Sequence, residues 1–234
     1  MIGDAVPSAP PVNLDPGVLR LRQQQYGLLE FVAEQLPCWR ADDNEVLEQA
    51  EDRLTSQLSD YLDEAAHGSE AWNWVRFKTQ VPDAIDKTRT LDIAAKPIRT
   101  VIIAERPYTR RSVLLPIECK RLPTPGGISR EREYVVSSKG TTGGIQRFKL
   151  GKHALDHDLA VMIAYVQQGP SSDWVLTVNG WIQALAADIK SGWSEGDCLE
   201  LISEGVPVYR LVSHHDRGSG YEPIELRHLW IDMN

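Results

Sequence analysis

A chain of 234 residues, 42% hydrophobic and 25% charged, is long enough for one domain with a sizeable core; its composition excludes collagen-like, disordered and disulfide-scaffold classes. Three widely spaced cysteines, Cys38, Cys119 and Cys198, exclude a disulfide or Cys-type zinc framework and point to a reducing compartment; with no bilayer-length apolar run and no secretory signal pattern, the expectation is a cytoplasmic protein without a membrane partner. A net charge of −8 argues against nucleic acid until it is mapped: Lys87 to Lys152 holds fifteen Lys and Arg against five Asp and Glu, a formal +10, and the remainder holds ten against twenty-eight, a formal −18. A basic stretch inside an acidic chain is either a phosphate-backbone footprint or a solvated face.

Residues 1–16, rich in Pro, Ala and Asp, read as a flexible tail, and 17–234 as a single domain. Residues 18–36 predict an amphipathic helix, with Leu21, Leu28, Leu29, Val32 and Leu36 on one side, ended by Pro37. Asp42 or Asp43 is placed to cap a second helix over 45–65, with Val46, Leu47, Leu54, Leu58 and Leu62 apolar. Strands are predicted over 72–80 and 88–96, and 100–105 extends the second or starts another. A basic turn at 106–111 leads into a strand over 112–122, and 123–127 breaks the chain. Residues 137–144 are Gly/Ser/Thr-rich and read as mobile. A short helix over 145–153, a buried strand over 159–166 and a helix over 173–189 follow, with Gly180 a weak point in the last. Runs at 199–202, 206–213 and 224–233 predict an antiparallel strand set. Trp72 and Trp74, at alternating positions, suit a sheet face or a protein interface.

The run Leu114-Leu115-Pro116-Ile117-Glu118-Cys119-Lys120-Arg121 is apolar until a carboxylate and an ammonium enter it two residues apart. In a strand Glu118 and Lys120 share one face, and Ile117 and Cys119 the other. A buried unpaired charge costs several kcal/mol, so such a strand needs a reason, and a divalent metal is one. Thr90-Leu91-Asp92-Ile93-Ala94 has the same character, and Asp92 with Glu118 suits a hard cation such as Mg²⁺.

Asp92, a gap of about two dozen residues and then Glu118-Cys119-Lys120 resemble the D…(D/E)xK signature of the PD-(D/E)xK nuclease superfamily, with Leu91 where the family usually has Pro. The resemblance implies an α/β fold: a restriction-endonuclease-like αβββαβ core with a mixed sheet, an added N-terminal helix and C-terminal antiparallel strands. It implies a Mg²⁺-dependent endonuclease, Mn²⁺ substituting, with Asp92, Glu118 and the backbone carbonyl of Cys119 as metal ligands. Lys120 then positions or deprotonates the attacking water, or stabilises the phosphorane. A helix acid often joins such sites. Glu45, Glu48 and Glu51, with Asp52 beside them, are candidates, and Glu51 fits best because Leu54, Leu58 and Leu62 place it near the buried face. Gln146 and Arg147 stand where related nucleases approach the scissile phosphate, with Arg121, Lys149 and Lys152 on the same basic side. Each of these also has a plain reading as a surface or helix-terminal residue.

His153 and His157, four apart, would chelate a metal on a helix but lack a third ligand. His214, His215, Arg217 and His228 suit a nucleic-acid or partner contact, or a strand running into a turn. The family resemblance further implies double-stranded DNA as substrate, a bacterial restriction or antiviral defence setting, an ATPase, helicase or sensor partner (no P-loop is present) and a homodimer. The alternatives are a non-catalytic nucleic-acid- or protein-binding subunit on the same scaffold, and an RNA-cleaving toxin.

Overall fold

A computed structural model describes residues 16–44, 46–83, 86–127, 130–138, 140–218 and 220–234, with side chains from 21 onward. The expected tail, apart from Pro16, and the candidate Glu45 lie outside the described residues. The elements in order are α1 (Pro16–Arg40), α2 (Glu51–Gly68), β1 (Val75–Pro82), β2 (Thr90–Pro97), β3 (Val101–Ile103), β4 (Arg106–Tyr108), β5 (Leu115–Leu122), α3 (Gly144–Lys149), β6 (Leu159–Val166), α4 (Ser171–Ala186), β7 (Glu200–Ser203), β8 (Val208–His215) and β9 (Ile224–Asp232). The fold is α/β: a mixed seven-stranded sheet in the order β1-β2-β5-β6-β9-β8-β7, with β3 and β4 forming a separate hairpin.

β5, β6 and β9 run parallel at the centre, with antiparallel strands on both flanks. A strand paired in parallel on both sides and covered on both faces has no solvent side, and all eight residues of β6 are apolar and buried. Its alternate side chains divide the core. Val161, Ile163 and Tyr165 join Leu28, Val32, Leu36, Leu54, Leu58 and Leu62 of α1 and α2 on one face. Met162, Ala164 and Val166 join Ile145, Phe148, Val178 and Ile182 of α3 and α4 on the other. No described helix is long and apolar enough to cross a membrane.

Several boundaries differ from the sequence reading. α1 continues through Pro37 to Arg40. The turn is held by Ala41 N–H donating to the Pro37 carbonyl at 3.1 Å, so proline costs one bond there and the buried Trp39 keeps the helix packed. Neither Asp42 nor Asp43 caps α2: Asp42 Oδ1 accepts from Asn44 N at 3.0 Å, and Ala50 sits at the helix start. The expected first strand begins only at Val75, since Trp72 packs beside Phe31 and Trp74 with ring centroids 6.4 and 5.9 Å away. The basic turn at 106–111 is half strand: β4 pairs with β3. α3 stops at Lys149, ahead of Gly151 with φ of 61°. The end of the Gly/Ser/Thr-rich loop is wedged in place. A Cβ on Gly144 would lie 2.6 Å from Met162 Cε and 2.7 Å from the Tyr134 carbonyl, a close approach only glycine permits.

Candidate active site

β2 and β5 pair at Ile93↔Ile117, Ala94↔Pro116 and Ala95↔Leu115, whereas β5 stays paired to β6 through Leu122. Beyond Ile117 the β5 edge facing β2 therefore lacks a strand partner. Backbone groups alternate in direction along a strand, so those of Cys119 and Arg121 point into this notch. Backbone donors at buried positions need acceptors. Asp92 Oδ2 accepts from Cys119 N at 2.8 Å, and Glu51 Oε2 accepts from Arg121 N at 3.0 Å. Two carboxylates thus take over the hydrogen bonding that a strand would supply.

Lys120 fills the notch. Its Nζ donates to the Cys119 carbonyl at 2.8 Å and lies 3.0 Å from Glu118 Oε1, 3.2 Å from Glu51 Oε1 and 3.7 Å from Asp92 Oδ2. Arg147, at the start of the second turn of α3, donates from Nη1 to Glu118 Oε1 at 2.6 Å. Burial and the neighbouring Glu118 charge push Asp92 up to about 6, against the pull of Lys120 and the Cys119 N–H. Burial draws Lys120 down, but Glu118, Asp92 and Glu51 together reverse this and hold it above the ordinary lysine value. With three carboxylates around it, Lys120 is held as a cation in the metal-free notch.

Glu118 is fully buried, yet its Oε2 has no hydrogen-bond partner. His153 Nδ1, likewise buried and unpartnered, lies 3.7 Å away. Burial, reinforced by the Arg147 charge, pulls His153 down to about 4, so it is neutral at pH 7. Among the described residues no cluster of three or more His, Cys, Asp or Glu side chains stands at metal-ligand spacing. The oxygen donors at hand are the Asp92, Glu118 and Glu51 carboxylates and the Cys119 carbonyl. Asp92 and Glu118 with that carbonyl match the habit of Mg²⁺, which takes one or two carboxylates and keeps several waters.

Asp92, Glu118, Cys119, Lys120, Glu51 and Arg147 are therefore brought together, and the other candidates are occupied elsewhere. Gln146 Oε1 accepts from Ser137 N at 3.3 Å and Gly143 N at 3.4 Å, folding back on its own loop. Arg121 Nε donates to Gln167 Oε1 at 2.5 Å on the rim. Lys149 Nζ donates to Asp197 Oδ1 at 2.8 Å. Glu48 pairs with Arg53 at 2.9 Å, and Asp52 is exposed. The basic segment is also split in space. Arg99, Arg106, Arg110 and Arg111 are exposed beyond the Pro97 end of β2.

Two features escaped the sequence reading. One is the place of His153 beside Glu118: read only as a chelating pair with His157, it lies past the end of α3 and shares no helix face with His157. The other is a buried polar relay on the α3/α4 face. Trp230 Nε1 donates to Tyr134 Oη at 2.8 Å, and Tyr134 Oη lies 2.7 Å from His228 Nδ1. Ser213 Oγ lies 2.8 Å from His228 Nε2 and 2.7 Å from His215 Nε2, and His215 Nδ1 lies 2.6 Å from Asp197 Oδ1. Ser213 and His215 on β8, and His228 and Trp230 on β9, are each two apart, so a period-two polar face was the available signal. Compared with protein-family models, curated proteins and solved structures, the chain gave no match.

Proposed function

We propose that the protein is a metal-dependent nuclease that hydrolyses phosphodiester bonds, with double-stranded DNA as its substrate and the restriction-endonuclease-like core as its scaffold. The observation that carries this reading is the convergence of Asp92, Glu118, the Cys119 carbonyl and Lys120 in one notch between diverging strands. The order α2, β1, β2, β5, α3, β6 also matches the αβββαβ succession once the β3–β4 hairpin is set aside.

Asp92, Glu118 and the Cys119 carbonyl would hold Mg²⁺, which when bound supplies charge neutralisation at the phosphoryl oxygens and a more acidic water. Glu51 supports the site from α2 by fixing the Arg121 N–H and sharing the Lys120 charge. Lys120 would position or deprotonate the attacking water, or donate to a phosphoryl oxygen as negative charge grows there. Arg147 spends one nitrogen on Glu118, and its other donors are positioned to take a phosphate.

The test is cleavage of plasmid and linear DNA, with RNA in parallel, in Mg²⁺ and in Mn²⁺. Cleavage abolished by EDTA, by Glu118→Gln with its melting temperature retained, and by Lys120→Met at a temperature where circular dichroism shows it folded, is the expected outcome. One observation favours a non-catalytic subunit instead: the Lys120 ammonium already satisfies the Cys119 carbonyl, closing the ion cluster on itself. Nucleic-acid binding without cleavage of either polymer in either metal would establish that second reading. Cleavage of RNA alone would turn the assignment to a ribonuclease.

A further inference from the structure

Beside the acidic notch, on the far side of Arg147, lies a cavity of about 290 Å³. Its wall includes Thr88, Arg89, Thr142, Arg147, Lys152 and His153. Three of these six carry a fixed positive charge and Thr142 adds a hydroxyl. Two of the cations each share an acid through one nitrogen, Arg89 Nε facing Asp86 Oδ2 at 3.1 Å and Arg147 Nη1 donating to Glu118 Oε1 at 2.6 Å, while Asp86 Oδ1 accepts from Thr88 Oγ1 at 2.6 Å; Lys152 has no acid within ion-pair distance among the described residues. The wall is positioned from several elements. Arg89 precedes β2 and donates from Nη1 to the Lys152 carbonyl at 3.2 Å, and Lys152 Nζ donates to Thr141 Oγ1 of the Gly/Ser/Thr-rich loop. His153, only 2% exposed and with Nδ1 unpartnered, closes the side nearest Glu118.

An apolar ligand gains little in such a wall, whereas a phosphate would meet several charge-assisted donors at once. The room is at the small end of the range for ligand pockets, roughly 300 Å³. That suits one phosphate with its sugar. We propose that this cavity is a phosphate subsite that holds the nucleotide next to the one attacked, so that the strand passes from the cavity across Arg147 to the acidic notch. This rests on the nuclease reading of the notch. The Gly/Ser/Thr-rich loop, through Thr141 and Thr142, is then part of substrate binding.

The experiment separates binding from cleavage. EDTA-treated full-length protein is titrated with thymidine 5′-monophosphate, inorganic phosphate and thymidine, followed by amide chemical shifts. The two phosphates are expected to shift Thr88, Thr142 and His153 together, and thymidine to leave them unmoved. Arg89→Gln with Lys152→Gln is expected to weaken the nucleotide at least tenfold and to raise KM for DNA more than it lowers kcat, while Asp92→Asn retains binding. Phosphate binding without metal-dependent cleavage by the wild-type protein would keep the subsite and sink the nuclease reading. Cleavage with unchanged KM in the double variant, or shifts spread evenly over basic surface at saturating phosphate, would overturn the subsite. The wild-type titration decides the matter even if the double variant does not fold.

Discussion

Two of the polar clusters on the sheet are built on opposite terms. In the relay from Trp230 to Asp197 every donor has an acceptor if the bonds run one way. Trp230 gives to Tyr134 and Tyr134 to His228 Nδ1; His228 Nε2 gives to Ser213 and Ser213 to His215 Nε2; His215 Nδ1 gives to Asp197. That pattern requires both imidazoles neutral, and burial lowers both, only partly opposed at His215 by Asp197. Although Asp197, His215 and Ser213 follow the acid–base–nucleophile order, Ser213 is 1% exposed and its hydroxyl is engaged on both sides. It is a strut. The notch around Glu118 instead crowds three carboxylates about one ammonium and one guanidinium and leaves a buried oxygen unpaired. Complete satisfaction suits a structural role, and a local conflict that the rest of the fold tolerates is where the proposed chemistry would sit.

The sharpest way to break this contrast is to remove one acid from each cluster. Glu118→Gln is expected to lower the cleavage rate by about 100-fold or more while moving the melting temperature little, since an over-acidic pocket loses one charge. Asp197→Ala is expected to cost about 3–5 kcal/mol in urea denaturation, because it strands Lys149 and His215 in the interior.

Acidity separates the clusters by sign. Asp92 is raised to about 6 in the folded protein, so its contribution is fully present below the unfolded carboxylate value and is lost as pH rises through about 6. In metal-free protein Asp92→Asn is therefore expected to stabilise at pH 7.5 by about 1–3 kcal/mol and to do nothing at pH 4. Asp197 is driven the other way. Burial alone would raise it, but the bonds from His215 and Lys149 win and bring it down to about 2. Its contribution is present above the unfolded value near 3.8 and disappears as pH falls through about 2. Asp197→Asn should flatten the acid limb of the melting-temperature profile below pH 4 and leave the neutral limb's slope unchanged. At the small end, Gln146→Ala is expected to cost about 1 kcal/mol by freeing the Ser137 and Gly143 N–H groups, with cleavage unchanged. A large loss of cleavage there would place Gln146 back in the site.

Much of the fold was legible because its signals are strong and local. The apolar run 159–166 is β6 to the residue, since a doubly covered parallel strand has no reason to alternate. Asp92, Glu118 and Lys120 stood out because a charge in an apolar strand is expensive, and Glu51 because of its phase against Leu54, Leu58 and Leu62. Arg147 and Lys149 read alike in the sequence because both lie in the last turn of α3, and only tertiary packing sends one to Glu118 and the other to Asp197. The relay was obscured because its links are contributed by four distant segments, and His153 because a turn after Gly151, not a helix, delivers it.

The notch has a consequence apart from any chemistry. A strand edge with free N–H groups is a template for another chain. On β5 that template is blocked by the side chains of Asp92 and Glu51, which occupy the donors of Cys119 and Arg121. Replacing both acids with alanine would leave the Cys119 and Arg121 N–H groups without these acceptors, so the same two residues complete the sheet's hydrogen bonding and form the acidic notch.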